Sequence, residues 1–342
     1  MSMNIDCVII GINTEKTIEQ CITHLLASHY TRGEIHIYYV DGGSTDNSIT
    51  KAQKFTGVNV ITLHPEFPTP GLGRNNGWKA GTSPLVQFLD SDTIVDPHWL
   101  DKAMDAFLAN SNIGAVRGNL YELHPRASVF NWIGELEWNV EPGMCDSFGG
   151  NVMIRRPILE DTGGYDEILV AGEDPEFSQR VRQKGWQILH INAIMCGHDL
   201  AMMHMAQYWK RGHRTGYGYA AVTARCGLSA GGFWLHELFR ISIRGGGFTG
   251  FTLAGLLLGV VHPLFLLLLF PGLVLLFYPF LFKISWFMKH KHLKREMAMI
   301  YALHCSLVVI PQFFGVKRFF WGKLLNRPLR NKPSVLKTGV SE

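Results

Sequence analysis

"LVQFLDSDTIVDPHWL", residues 85–100, carries an apolar run fit for a buried strand up to Asp90-Ser91-Asp92, two carboxylates one residue apart. Charges of one sign held so close repel unless a turn or a cation uses them. Turns favour Asp because its side chain bonds the nearby backbone, and that is the plain reading of a D-x-D. The chemical reading is a divalent cation, since magnesium is commonly held by one or two carboxylates together with substrate phosphates. Asp96 is simpler: Pro97 follows it as a candidate first helical residue, so Asp96 reads as an N-cap.

Outward from this stretch, strand and helix signals alternate. "IDCVII" is a short apolar run, followed by Ile18, Cys21, Ile22, Leu25 and Leu26 at helical spacing. "EIHIYYV" reads as a second strand, broken by "DGGSTDNS", which opens a helix; "VNVITL" is a third. "GRNNGWKAG" is a Gly-bounded helix leading to the strand "PLVQFL". This alternation predicts an α/β fold with a mostly parallel sheet covered by helices. Ligands in such sheets bind at the carboxyl ends of the strands, where "DGG" (41–43) and "DSD" (90–92) both fall. Residues 113–200 are mixed, with a helix at "GEDPEFSQRVRQKG" and a strand at "WQILHINAIM".

Composition divides the chain. Residues 236–342 carry 14 Lys and Arg against 3 Asp and Glu, whereas residues 1–235 carry 18 against 25. An acidic front and a basic, apolar back read as a soluble domain tethered to an anionic membrane face. The basic residues flank apolar segments and form no soluble patch, which argues against a nucleic-acid partner. Six scattered cysteines without a CxxC pair fit a reducing compartment. The N-terminus lacks a basic leader and goes directly into a strand-like run.

Gly245 to Phe282 contains no Asp, Glu, Lys or Arg. A spanning helix needs about 20 apolar residues, so this stretch holds a hairpin over about 248–288, with "FPG" (270–272) as its break. A third apolar segment, 297–316, is interrupted by Tyr301, His304, Pro311 and Gln312. A third full span would carry the basic tail 317–342, with Lys317, Arg318, Lys323, Arg327, Arg330, Lys332 and Lys337, to the side opposite Arg240 and Arg244. Two spans plus a re-entrant or interfacial third segment is therefore the preferred reading. The expected organisation is a catalytic domain 1–200, interfacial helices 201–244, a membrane region 245–316 and the tail.

Several residues invite chemistry. Asp41 at a strand end suits either a tight turn or a bond to a ribose or base. "PGLGRNNGWKAG" misses the dinucleotide glycine spacing, and no acidic residue closes the unit about 20 residues on, which argues against a nicotinamide enzyme. Arg74, read as lying at a helix start, suits a diphosphate instead. Asp174 precedes Pro175 and reads as an N-cap or as a base.

Taken together, "DGGSTDNS", "GLGRNNGWKAG", "FLDSD", "GGNVMIRR", "GGYDE" and "GEDPEFSQRVRQKGW" resemble, in order and interval, the motifs of family 2 glycosyltransferases with the GT-A (nucleotide-diphospho-sugar transferase) fold. The likeness covers about residues 4–215 and is of the kind found in exopolysaccharide and cell-surface glycan assembly. It implies that Asp41 contacts the nucleotide, Asp90 the ribose and Asp92 a divalent cation (Mg²⁺ or Mn²⁺). It implies Asp174 as general base with Glu173 as neighbour, and His198 near the metal or diphosphate. "AQYWKRGHRTGYGY" (206–219) resembles the Q-x-x-R-W motif of processive synthases but departs from it: Gln207 is followed by Lys210 and Arg211, and no Trp follows. Arg211 and Arg214 suit either a diphosphate or a basic interfacial helix. One base and one metal suit a single displacement with inversion, from a nucleotide-sugar donor to an acceptor that the anchor suggests is lipid-linked, on the cytoplasmic face. A processive polysaccharide synthase and a non-catalytic membrane scaffold are the alternatives.

Overall fold

The computed structural model describes residues 3–138, 140–227 and 231–331. Lys332 and Lys337 of the basic tail lie outside the described residues. The chain forms two compact units: one runs to Met203 and takes in Arg330 and Asn331, the other is His204–Leu329.

The first unit is built on one sheet. Its strands are β1 (Ile5–Gly11), β2 (Ile35–Asp41), β3 (Val58–Thr62), β4 (Leu85–Asp90), β5 (Thr93–Val95), β6 (Ile113–Glu122), β7 (Gly143–Met144), β8 (Val152–Arg155) and β9 (Gln187–His198). They lie in the order β3-β2-β1-β4-β8-β6-β9-β5, with β7 also on β9. β1, β2, β3 and β4 pair in parallel, because helices α1 (Ile18–Leu26), α2 (Ser48–Ala52) and α3 (Pro70–Ala80) supply the crossovers. β8 enters antiparallel, which turns β6 and β9 back into the direction of β4.

Strands covered on both faces bury consecutive residues. Cys7 and Ile9 pack with Ile18, Ile22 and Leu25 of α1 and with Trp99, Met104 and Phe107 of α4 (Trp99–Ala109). Val8, between them, faces the other way, toward Trp78 of α3, Leu159 of α6 (Arg156–Thr162) and Phe177 of α7 (Glu173–Gln183). Leu26 of the expected α1 stripe is exposed. Asp96 does not cap α4: that helix starts at Trp99, and Asp96 Oδ1 accepts from the His98 N–H (3.0 Å), a local turn one step earlier.

At the amino ends of β1 and β4 lies a buried ion pair. Arg156 donates through Nη2 to Asp6 Oδ2 (2.5 Å), through Nε to the Ser83 carbonyl (2.5 Å) and through Nη1 to the Trp78 carbonyl (2.8 Å). Asp6 also accepts from the Ser83 N–H and hydroxyl. Near the other end of the chain, the Arg330 guanidinium lies 4.1 Å from the centre of the Phe67 ring, and Asn331 Nδ2 donates to the Pro68 carbonyl (2.8 Å). Both contacts fall on the loop between β3 and α3.

The second unit is helical: α8 (Met205–Cys226), α9 (Leu235–Ile241), α10 (Gly247–Gly259), α11 (Leu269–His290), α12 (Arg295–Leu307) and α13 (Val309–Leu324). α8 buries Gly212, Gly216, Tyr217 and Ala220. Its Gly216 meets the Gln312 backbone of α13, and Gly315 of α13 meets the His213 backbone in return, a crossing too close for any larger side chain. Three helical stretches are long and apolar enough to cross a membrane: Leu235–Gly259, Pro263–His290 and Arg295–Leu324. The first two bury 22% and 17% of their most apolar windows and the third 50%, so the third packs more deeply within its own unit. The break between the first two lies at Val260–His262, not at "FPG". There His262 Nδ1 accepts from the Leu264 N–H and Pro263 opens the next turn. Pro271 falls in the first turn of α11, where a missing N–H costs nothing. Pro279 falls inside α11, and Arg244 donates to the carbonyls of Leu275 and Leu276, one of which has lost its helical partner to that proline.

Candidate active site

The carboxyl edge of the sheet gathers most of the acids singled out in the sequence. Register sets Gly11 opposite Asp41 and Ile10 opposite Asp90, so both loops open on the same edge. After Asp90 the chain turns sharply: Ser91 N–H donates to the Ile10 carbonyl and the Thr93 hydroxyl to that of Asp90 (2.7 Å). β5 then runs back along β9 with Thr93 opposite His198. That hairpin brings Asp92 Oδ1 to 3.0 Å from His198 Nε2.

Asp90, Asp92 and His198 each offer one ligand atom, all within 4.8 Å of one another. Asp92 Oδ1 is buried, and beside the His198 ring nitrogen it has no other polar partner among the described residues. A buried carboxylate oxygen left so little satisfied is costly, and a divalent cation held between it and the imidazole would satisfy both. The three residues therefore fit such an ion.

Arg74 joins this trio to the second acid pair. α3 begins at Pro70, capped by Thr69, so Arg74 stands in the second turn and not at the helix start expected from sequence. Only 2% of its surface is exposed. Nη2 donates to Asp90 Oδ1 (3.0 Å) and Nη1 to Glu173 Oε1 (3.1 Å), with Asp174 Oδ1 at 3.2 Å. Its guanidinium lies over the Tyr165 ring (5.2 Å). The residue read as facing a diphosphate is thus occupied by three carboxylates.

Glu173 and Asp174 open α7 behind Gly172, a left-handed residue (φ 87°) at the N-cap position. Asp174 is not the cap; it is the second helical residue, and its buried Oδ1 has no hydrogen-bond partner. Burial pushes the Asp174 carboxyl well above the ordinary carboxylate range; Arg74 pulls it down, and Glu173 and Asp90 add to the rise. Burial likewise raises Asp90 against the pull of Arg74, with Asp92 adding to it. A carboxylate so raised is a stronger base than an exposed one.

Asp41 reaches the same edge but is spent locally. Fully buried, it accepts at Oδ1 from the N–H groups of Gly43 (2.9 Å) and Ser44 (2.7 Å), and at Oδ2 from the hydroxyls of Tyr39 (2.9 Å) and Ser44. Two oxygens offer about four lone-pair sites, and all four are taken. A bond to a nucleotide requires one hydroxyl to turn away. Arg211 is an exposed residue of α8, in the second unit. Gln207 folds back on the start of that helix, accepting from the His204 N–H (2.9 Å).

Other residues complete the site. Asn151 Oδ1 accepts from the Asp90 N–H (3.0 Å) and fixes the strand end. A Cβ on Gly150 would lie 2.5 Å from Arg74 Nη2 and 2.6 Å from Asp90 Oδ2, so a larger residue there would push on that ion pair. Tyr165 supports Arg74, its own hydroxyl buried and unpaired. The motifs "GGN" and "GGY" flagged these positions without revealing their tasks.

The sequence profile of glycosyl transferase family 2 matches residues 6–163, and that of glycosyl transferase family group 2 matches residues 85–308. The second covers well over half of the chain, which belongs to this family and is a glycosyltransferase. Among curated relatives, glycosyltransferase AglE of Haloferax volcanii is 22% identical over 61% of this chain and 71% of its own length. The pre-mycofactocin glycosyltransferase of Mycobacterium tuberculosis is 26% identical over 48% of this chain and 37% of its own. The glucosyl-dolichyl phosphate glucuronosyltransferase of Haloferax volcanii is 23% identical over 58% and 70%. Among solved structures, the mannosyltransferase PcManGT of Pyrobaculum calidifontis, in complex with GDP-Man and Mn²⁺, aligns with a TM-score of 0.60 at 14% identity, covering 93% of this chain and 87% of that one. S. aureus TarS 1–349 in complex with UDP-GlcNAc aligns at 0.56 and 14% identity, covering 94% and 92%. These likenesses establish the GT-A fold.

Proposed function

We propose that this glycosyltransferase moves a sugar from a nucleotide-sugar donor to the hydroxyl of a lipid-linked acceptor, with inversion, on the cytoplasmic face of a membrane. The observation that carries the reading is the Arg74 guanidinium, which links the Asp90 end of the cation-binding trio to the Glu173–Asp174 pair. Asp92 and His198 would hold a divalent cation, Mg²⁺ or Mn²⁺, which when bound offsets the charge growing on the departing diphosphate.

Asp174 takes the proton of the acceptor hydroxyl as its oxygen bonds to the anomeric carbon and the bond from that carbon to the diphosphate breaks. Electrons of the broken bond leave with the nucleoside diphosphate. Glu173, tied to Arg74, holds the guanidinium and leaves Asp174 as the proton acceptor, and a single displacement inverts the anomeric centre. Asp90 accepts from the ribose, and Asp41 shapes the loop that meets the nucleotide. Support for a lipid-linked acceptor comes from the three apolar helical stretches and from a relative whose name carries a dolichyl phosphate. The charge asymmetry supports the cytoplasmic placement.

The test is a panel of nucleotide sugars offered to detergent-solubilised protein with and without Mn²⁺. One donor should be turned over in a metal-dependent way, and Asp92→Ala should abolish transfer while the protein stays folded. Full activity in that variant overturns the metal role.

A further inference from the structure

The ring of His198 has to be aimed. Imidazole turns easily about its broad χ2 torsion, and metal-bound histidines are held in orientation by neighbours whose loss weakens metal binding. In this chain the neighbour is an indole. Trp138, the last residue of α5 (Val129–Trp138), stacks on the His198 ring with centroids 5.0 Å apart and planes 9° from parallel.

That contact is one end of a longer grip. The Ser128 hydroxyl donates to the Met202 carbonyl (2.6 Å), and Asn131 Oδ1 accepts from the Met202 N–H (3.0 Å). Gly134 is packed so closely on Leu200 that a Cβ there would collide with it. Positions 128, 131, 134 and 138 share one face of a helix, and that face meets His198, Leu200 and Met202 of the chain that leaves β9. Buried Glu122 closes the grip, accepting from the Leu200 N–H (3.0 Å) and from Asn131 Nδ2 (3.2 Å). Hydrogen bonds fix Leu200 and Met202, and the indole lies flat on the imidazole itself.

We propose that Trp138 is a positioning residue for the cation site: α5 splints the chain after β9, and its terminal indole holds the His198 imidazole with Nε2 turned toward Asp92. The inference rests on the reading of Asp92 and His198 as cation ligands.

The experiment is Mn²⁺ titration of the purified full chain, with no nucleotide, read by electron paramagnetic resonance of the free ion. Trp138→Ala and Trp138→Leu should raise the Mn²⁺ Kd about 10-fold or more, and Trp138→Phe, which keeps a stacking ring, should stay close to wild type. In a His198→Ala background, Trp138→Ala should add nothing. A wild-type Kd in Trp138→Ala, or an undiminished loss in the His198→Ala background, overturns the proposal. Should Trp138→Ala not fold, Trp138→Phe still decides: bound Mn²⁺ should quench part of the wild-type tryptophan emission, and that part should vanish in the variant. Quenching that persists in full overturns the proposal. If Asp92→Ala, or the wild type itself, shows that Mn²⁺ does not depend on the trio, the metal reading fails and this inference with it. If Asp92→Ala and His198→Ala lose Mn²⁺ while the Trp138 variants do not, this inference alone fails.

Discussion

Two buried arginines stand at opposite edges of the same sheet, and they differ in how completely they are satisfied. At the amino edge, Arg156 uses Nε, Nη1 and Nη2 on two carbonyls and Asp6, and Asp6 takes further bonds from Ser83. At the carboxyl edge, Arg74 faces three carboxylates, yet its Nε and the Tyr165 hydroxyl are buried without hydrogen-bond partners, and Asp174 Oδ1 and Asp92 Oδ1 have only the ion-pair contacts of Arg74 and His198. A closed network holds strands together and has nothing left to offer. An open one, in a fold that closes its other network, marks the place where substrate and cation complete the bonding.

The sharpest way to break this comparison is to neutralise one acid on the open side. Asp174→Asn should lower kcat by about 10²–10⁴-fold, the usual worth of a general base, while Mn²⁺ binding and the unfolding temperature stay near wild type. A variant that keeps its rate would move the proton acceptor elsewhere. On the closed side the sign reverses. Arg156→Met leaves Asp6 buried without its partner and should cost about 3–5 kcal/mol of stability, read by denaturant unfolding. Its turnover per folded molecule should be unchanged, and Asp6→Asn in the same chain should recover part of the loss.

The smallest effect expected is a displaced pH limb. Asp174 must be ionised to accept a proton, and burial raises its carboxyl. The acid limb of kcat/KM should therefore lie above the ordinary Asp value of about 3.9 and disappear in Asp174→Asn. The linked stability runs the opposite way. A carboxyl raised in the folded state contributes stability that is present below its unfolded value and lost as pH rises through the folded one.

Much of this was legible in the chain. Period-two and continuous apolar runs located the strands, and the rule that ligands meet strand carboxyl ends drew Asp41, Asp90 and Asp92 to one edge. Asp174 and His198 came from motif order alone, because nothing local distinguishes a capping Asp from a base. Only the place of Arg74 in its helix differs from the reading, for a physical reason: the helix starts at Pro70 because Thr69 caps it, and the carboxylates that hold the guanidinium lie 16 and 99 residues away. Asp41 illustrates the converse. Turn former and ligand were both open readings, and only coordinates reveal that its lone pairs are already committed. Trp138 carried no signal at all, since a tryptophan at a helix end acquires meaning only from the ring beside it.

Asn331 bonds Pro68 across 263 residues of chain. At synthesis rates of about 5–20 residues per second, the loop before α3 waits roughly 13–50 s for that contact. All three helical stretches suited to a bilayer are made in the interval. The loop therefore gains these contacts only after those helices have been made, and protease resistance at Phe67 would report that Asn331 has left the ribosome and docked.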